Sequence, residues 1–387
     1  MPAAAANRAG SWESLDSWTS EQIPFTQHSG PQHSVISDDP AAFFEMFVDD
    51  EAIDMMVMET NRYANQSIQR QRAQGQQKKY ARSKKWRPIT PPEMKNFLSL
   101  MFLTGIMKKP EFEMYWSTDE MLATPFFTTV MPRNRFELIW TYFHTVDNES
   151  KPTECEDRLF KVRPLMELCL QRFRDLYTPA LNISIDEGML LWRGRLSFRV
   201  YNPAKPIKYG IKSYVLADSD TGYCWNMKPY AGVSSTIADT ITNLLDRLAG
   251  HGHQLYMDNF YNSVKVTDIL LNLKTHICGT MRANRGEPAA MKAPTLQKGE
   301  TLALHNGRAM LLAWKDKRIV KMVSTFHDAS MQDVEVCTCD TYVWCTSSVI
   351  FFFFSTGETK RPQGESYPNE AIVHRRLQRP NEWSGSD

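Results

Sequence analysis

The chain has 387 residues, 42% of them hydrophobic, with a net charge of +1. That is enough apolar material for more than one packed domain, and the whole-chain charge says nothing about partners. Seven cysteines at irregular spacing and a polar, Ala- and Ser-rich opening argue against a secreted disulfide scaffold and for a reducing compartment. The most apolar run, Val343 to Phe354, is interrupted by Thr346, Ser347 and Ser348 and is too short to cross a membrane, which takes ~20 residues.

Residues 1–38 are poor in aliphatics and rich in Ser, Ala, Gln and Pro, the composition of a disordered, acidic leader. Residues 1–60 hold eleven acidic side chains against Arg8, whereas residues 61–90 hold nine basic ones and no acidic one. The basic segment Arg70–Arg87 reads either as a nucleic-acid surface or as a solvated helix face. Asp39-Pro40 opens a helix, and Phe44, Phe47, Val48, Ile53, Met56 and Val57 follow at helical spacing. Thr90-Pro91-Pro92-Glu93 reads as a capped start with Glu93 at the reciprocal position of a capping box, and Gly105 as the stop. Asn134–His144 and Lys161–Tyr177 are further amphipathic helices, so residues 39–180 form a helical domain.

The period changes at Leu181, where Leu181, Ile183 and Ile185 alternate with Asn182, Ser184 and Asp186. Arg199–Ala217 and Tyr223–Tyr230 read as strands joined by the turn Asp218–Gly222. Thr236–Ala249 is a helix, Gln254–Met257 a strand and Ser263–Leu273 a helix. Strand hairpins followed by alternating helices and strands predict an α/β fold over residues 181–331.

Two carboxylates stand out: Asp186, with Glu187 beside it, and Asp258, each assigned to a strand end. Such groups can hold a hard divalent cation through oxygen, and two such metals flanking a phosphate can activate one oxygen and stabilise another. An Asp at a strand end is also an ordinary turn or cap residue, and that reading stays open. Between them Arg193, Arg195, Arg199, Lys205, Lys208 and Lys212 interleave with aromatics, Gly and Pro. Cations neutralise phosphates and rings stack on bases, which makes these six the candidate DNA contacts; the plain alternative is an exposed, charged strand. Asp218 and Asp220 read as turn residues, and His251 and His253 as surface or core residues.

Asp186-Glu187-Gly188-Met189, the Arg193-Gly194-Arg195 segment, Asn202–Lys212 and Met257-Asp258-Asn259-Phe260-Tyr261-Asn262-Ser263 together resemble the piggyBac transposase family, including its domesticated vertebrate derivatives. The resemblance runs from about Asp39 to Ser330 and takes in Glu59–Ala64, Tyr115–Asp119, Arg133–Leu138 and Ser324–Asp328. It implies a ribonuclease-H-like core whose first two of three aspartates match Asp186 and Asp258. It further implies magnesium-dependent DNA strand cleavage and transfer at TTAA-flanked ends, a homodimer, and a nuclear location. The helical domain would serve dimerisation and DNA contact, and residues 281–321 would belong to an insertion between the second and third aspartates.

The resemblance stops after Met331. Residues 332–387 form a divergent tail, expected to be poorly ordered, in which Asp333, Glu335 and Asp340 lack the context of the third aspartate. Cys337, Cys339 and Cys345 have no paired Cys or His spacing for a zinc site. Three readings follow: a transposase-type nuclease impaired by the missing ligand, a non-catalytic DNA-binding or dimerising derivative, and an unstable fragment.

Overall fold

The computed structural model describes residues 11–34, 38–203, 205–232, 235–336 and 372–377. The chain divides into two compact units, residues 33–176 and residues 1–32 together with 177–387. The first unit is helical: α1 (Pro40–Phe47), α2 (Asp50–Ala73), α3 (Pro91–Ile106), α4 (Pro125–Val130), α5 (Arg133–Tyr142) and α6 (Arg163–Leu176). Asp39 and Asp49 cap α1 and α2 by accepting the Ala41 and Ala52 amides at 2.9 and 3.1 Å, which satisfies donors that a helix start leaves free. Ile53, Met56, Met94, Phe97, Phe127, Phe136 and Ile139 make the core.

The expected capping box on α3 is not formed. Thr90 makes no side-chain cap bond, and Glu93 instead takes both Arg135 Nε and a terminal nitrogen, at 2.7 and 2.6 Å. Arg135 is buried, also donates to the Arg87 carbonyl and lies over the Trp86 ring. A forked, charge-assisted pair in a dry setting outweighs one local cap bond.

The second unit is built on a ten-stranded sheet. Its strands, in chain order, are β1 (Glu13–Ser14), β2 (Gly30–Pro31), β3 (Tyr177–Thr178), β4 (Asn182–Leu191), β5 (Val200–Tyr201), β6 (Tyr209–Asp218), β7 (Cys224–Pro229), β8 (Gln254–Met257), β9 (His276–Thr280), β10 (Thr301–His305), β11 (Met310–Lys315) and β12 (Ile319–Ser324), of which β2 and β3 pair separately. Helices α7 (Ile237–Leu245), α8 (Val264–Asn272) and α9 (Ala289–Lys292) interrupt them. At the centre β4, β6 and β7 form an antiparallel meander, and β8 and β9 join parallel on the other side of β4 through α7 and α8. That order is the expected ribonuclease-H-like one. Ile183, Ile185, Leu255, Met257 and Ile277 pack with Ile241 and Leu244 of α7 and Leu270 of α8.

One domain expectation is revised, and a second region is given its place in the sheet. Residues 11–32, read as part of a disordered leader, lie along the sheet unit. β1 pairs with β10, Trp18 Nε1 donates to the His327 carbonyl at 3.3 Å, and Phe25 sets an edge against the His253 ring. A few apolar anchors, Trp12, Leu15 and Trp18, suffice to dock an otherwise polar segment. The region read as an insertion continues the same sheet: β12 pairs antiparallel with β9, and β10 and β11 follow outward. Without β12 the outer edge of β9 would present unpaired backbone. Of the tail, β13 (Met331–Val336) and β14 (Ile372–Leu377) pair in a separate two-stranded sheet. The rest of it, with Cys337, Cys339, Cys345 and Asp340, lies outside the described residues.

Candidate functional site

The two carboxylates are positioned by the register of β4 against β8. Ile183 pairs with Leu255 and Ile185 with Met257, the last rung of the ladder. All four are buried, so this parity faces the core. Asp186 and Asp258 are the next residues on each chain and share the opposite parity with Ser184 and Tyr256. Neighbouring strands lie ~4.8 Å apart, and in-register residues of a parallel pair project to the same face. Asp186 therefore stands beside Asp258. It is not at a strand end as its sequence suggested: β4 runs on to Leu191, held by β6 through the Asp186–Val215 rung. What ends at Asp186 is its pairing with β8.

The electrostatics put both carboxylates of the Asp186-Glu187 pair near Asp258, Glu187 with the larger effect. The Asp258 carboxyl is pushed above the usual carboxylate range, first by burial of its surroundings and then by the charges of Glu187 and Asp186, while the Phe260 amide and Arg282 act the other way. Phe260 N–H donates to Asp258 Oδ1 at 2.8 Å. The same three carboxylates reinforce burial in raising the phenol of Tyr261, whose hydroxyl is fully enclosed and has no well-formed hydrogen bond among the described residues. Glu187 is neutralised by Lys212 at 3.1 Å. Two carboxylates on one face supply the oxygen donors that a hard divalent cation takes. Among the described residues no group of three or more His, Cys, Asp or Glu has a metal-holding arrangement. Among the described residues, Asp186 and Asp258 are the pair whose oxygens could share one cation.

The six candidate DNA contacts do not behave alike. Arg193, Arg195, Arg199 and Lys208 are exposed and Lys205 is half-buried, all on the connection between β4 and β6. Arg199 donates to the Arg193 and Gly194 carbonyls at 3.2 and 3.3 Å and lies over Tyr209, which shapes the loop. Lys212 points elsewhere: besides pairing with Glu187 it sits over the Tyr214 and Phe260 rings, at 4.6 and 4.9 Å. Its register opposite Met189 gives it the parity of Glu187 and not that of Asp186. Arg282, which donates to Asn259 Oδ1 at 2.6 Å, and Asn262 and Tyr261 were not assigned from sequence, although the last two lie within the Met257–Ser263 run. Asp218 is a turn residue, its Oδ1 taking the Asp220 and Thr221 amides at 2.8 Å. His253 is a core residue bonded to the Ala180 carbonyl and Gln27.

Comparison with known proteins adds the lineage. A family model described as Transposase IS4 matches residues 39–346. PiggyBac transposable element-derived protein 2 of Homo sapiens is 27% identical over 310 residues, 77% of this chain and 48% of that protein. PiggyBac transposable element-derived protein 3 of Homo sapiens is 23% identical over 303 residues, 74% of this chain and 48% of that protein. The chain thus spans about half the length of the curated relatives it matches. Among solved structures, a piggyBac transposase in a synaptic complex with hairpin DNA, determined by cryo-EM, aligns with a TM-score of 0.68 and 28% identity, covering 79% of this chain and 65% of that one. No helix among the described residues is long and apolar enough to cross a membrane.

Proposed function

Since the chain belongs to the piggyBac-type transposase family, we propose that it binds DNA through the β4–β6 connection and holds a divalent cation, magnesium in the cell, between Asp186 and Asp258. The observation that carries this reading is the in-register β4–β8 ladder ending at Ile185 and Met257, which sets the two carboxylates side by side. A cation bound there would polarise phosphodiester oxygens, the chemistry by which carboxylate sites of this class promote strand cleavage and transfer. This chain's residues supply the two carboxylates, Lys212 to neutralise Glu187, and the exposed Arg193, Arg195, Arg199 and Lys208 with Lys205 to meet phosphates.

We place the protein in the nucleus as a homodimer on TTAA-flanked DNA, as its kinship suggests, with impaired cleavage; the family match runs to residue 346 and so past Met331, where the resemblance was expected to stop. The second reading is a binding protein with no cleavage at all; the exposed cations of the β4–β6 connection, which suffice for phosphate contact without any chemistry, favour it.

One experiment separates them. The full chain and the double variant Asp186→Ala with Asp258→Ala are incubated with TTAA-flanked ends and magnesium or manganese. Weak, metal-dependent nicking by the parent protein that vanishes in the double variant supports an impaired nuclease. Binding by both without nicking supports the second reading. Failure of either protein to bind DNA at low salt removes both readings, because phosphate contacts are strongest there.

A further inference from the structure

Asp186 and Asp258 are not held equally firmly. Asp186 sits inside β4 and is locked by its rung with β6. Asp258 lies one residue beyond the last rung of both ladders that hold β8, at Met257 with Ile185 and Met257 with Gly279. Asn262 takes over where the ladders end. Its Nδ2 donates to the Met257 carbonyl at 3.0 Å, the Asp258 carbonyl at 3.2 Å and the Thr280 carbonyl of β9 at 2.9 Å. All three partners are acceptors, which settles that the nitrogen, and not the oxygen, faces them.

Two further features single this tie out. Asn262 is fully buried and its Oδ1 has no partner among the described residues. A buried amide kept with one end unsatisfied is one whose other end matters. At Gly279 a Cβ would run into the Met257 carbonyl and the Asn262 amide nitrogen, so the backbone leaves room for this side chain and nothing more. The turn is completed by the Phe260 amide on Asp258 Oδ1. Backbone and carboxylate of Asp258 are therefore both tethered within five residues.

We propose that Asn262 is a positioning residue: by stapling the open ends of β8 and β9 it holds Asp258 in register with Asp186, and so sets the affinity of the pair for a divalent cation. This rests on the shared-cation reading above. Groups that orient a metal ligand commonly change affinity by about 10–100-fold when removed.

The test is Mn2+ binding to the full chain, followed by electron paramagnetic resonance titration well below the melting temperature, on protein whose circular dichroism matches the parent. Asn262→Ala is expected to weaken Mn2+ binding about 10–100-fold. Asn262→Ser, which keeps one short donor, falls in between and serves as the deciding variant if Asn262→Ala does not fold. Asp258→Asn is the control and should lose the site. Parent-like Mn2+ affinity in the folded Asn262 variants, with loss in Asp258→Asn, overturns the positioning role and leaves the carboxylate pair standing. Parent-like affinity in Asp258→Asn, or no Mn2+ bound by the parent, overturns the shared-cation reading and this inference with it.

Discussion

Asp258→Asn should make the protein more stable while removing its cation site. The substitution is isosteric, and the asparagine oxygen can still accept the Phe260 amide that now bonds Oδ1 at 2.8 Å. What disappears is a negative charge beside Asp186. Charges ~5 Å apart, as on neighbouring strands, repel by about 1 kcal/mol in a water-like medium and about 3 kcal/mol at an effective dielectric of 20. Both aspartates are exposed, so the lower figure applies to the Asp186 pair, and the charge of Glu187 adds to the repulsion in the same direction. A gain of about 1 kcal/mol raises the melting temperature of a unit this size by about 2–4 °C. The assay is a thermal melt of the full chain in a chelator, repeated with Mg2+. At ten times its Kd the ion would stabilise the parent by about 1.4 kcal/mol and leave the variant unmoved, so the order of the two melts reverses. A variant that melts at or below the parent in chelator would refute the argument that the two carboxylates repel across adjacent strands.

Other expectations concern the scaffold. Arg135→Ala leaves Glu93 with Arg87, at 3.0 Å, as its remaining cation and should cost the helical unit less than the about 3–5 kcal/mol of a fully unpaired buried charge in chemical denaturation, with the double variant Arg87→Ala and Arg135→Ala approaching that figure. Glu287 is enclosed and, although burial alone would raise its pKa, the Asn284 and Arg285 amides and Lys321 bring it down to about 2. Its folded value lies below the unfolded one, so its contribution of about 3 kcal/mol is complete above the ordinary carboxylate pKa and drains away as pH falls toward 2. Glu287→Gln should flatten denaturation midpoints measured from pH 6 down to pH 2.5. Gly252 has φ +82° and would press a Cβ into the Pro24 carbonyl. Gly252→Ala is expected to destabilise by about 1–2 kcal/mol and to speed limited proteolysis near Pro24; an unchanged cleavage pattern would count against the docked leader.

What could be read beforehand was whatever depends on near neighbours. The hairpin of β6 and β7 shows in its alternation and in the Asp218–Gly222 turn, and α5, α6 and α8 show in their apolar spacing. Asp186 and Asp258 stood out as residues, and the resemblance implied that they converge; what no local pattern could supply is the parallel register, set by the α7 crossover and by the burial of Ile183 against Leu255. Glu93 looked like a cap because the local pattern is complete; only the fold brings Arg135 to it. The leader looked disordered because Trp12, Leu15 and Trp18 are few, and what they dock on is supplied by strands far along the chain. Lys212 looked like its cationic neighbours until its strand position paired it with Glu187.

The antiparallel pair of β2 and β3 sets Pro31 opposite Tyr177. The polypeptide therefore leaves the sheet unit and re-enters it through adjacent points, so the helical residues 33–176 are topologically a guest inside a host. During synthesis the guest emerges whole and can fold at once. The host must wait: β1, which precedes the guest in the chain, finds its partner β10 only after most of the sheet has left the ribosome. The same arrangement makes the guest separable, since a short bridge from Pro31 to Tyr177 would remove it without cutting a strand.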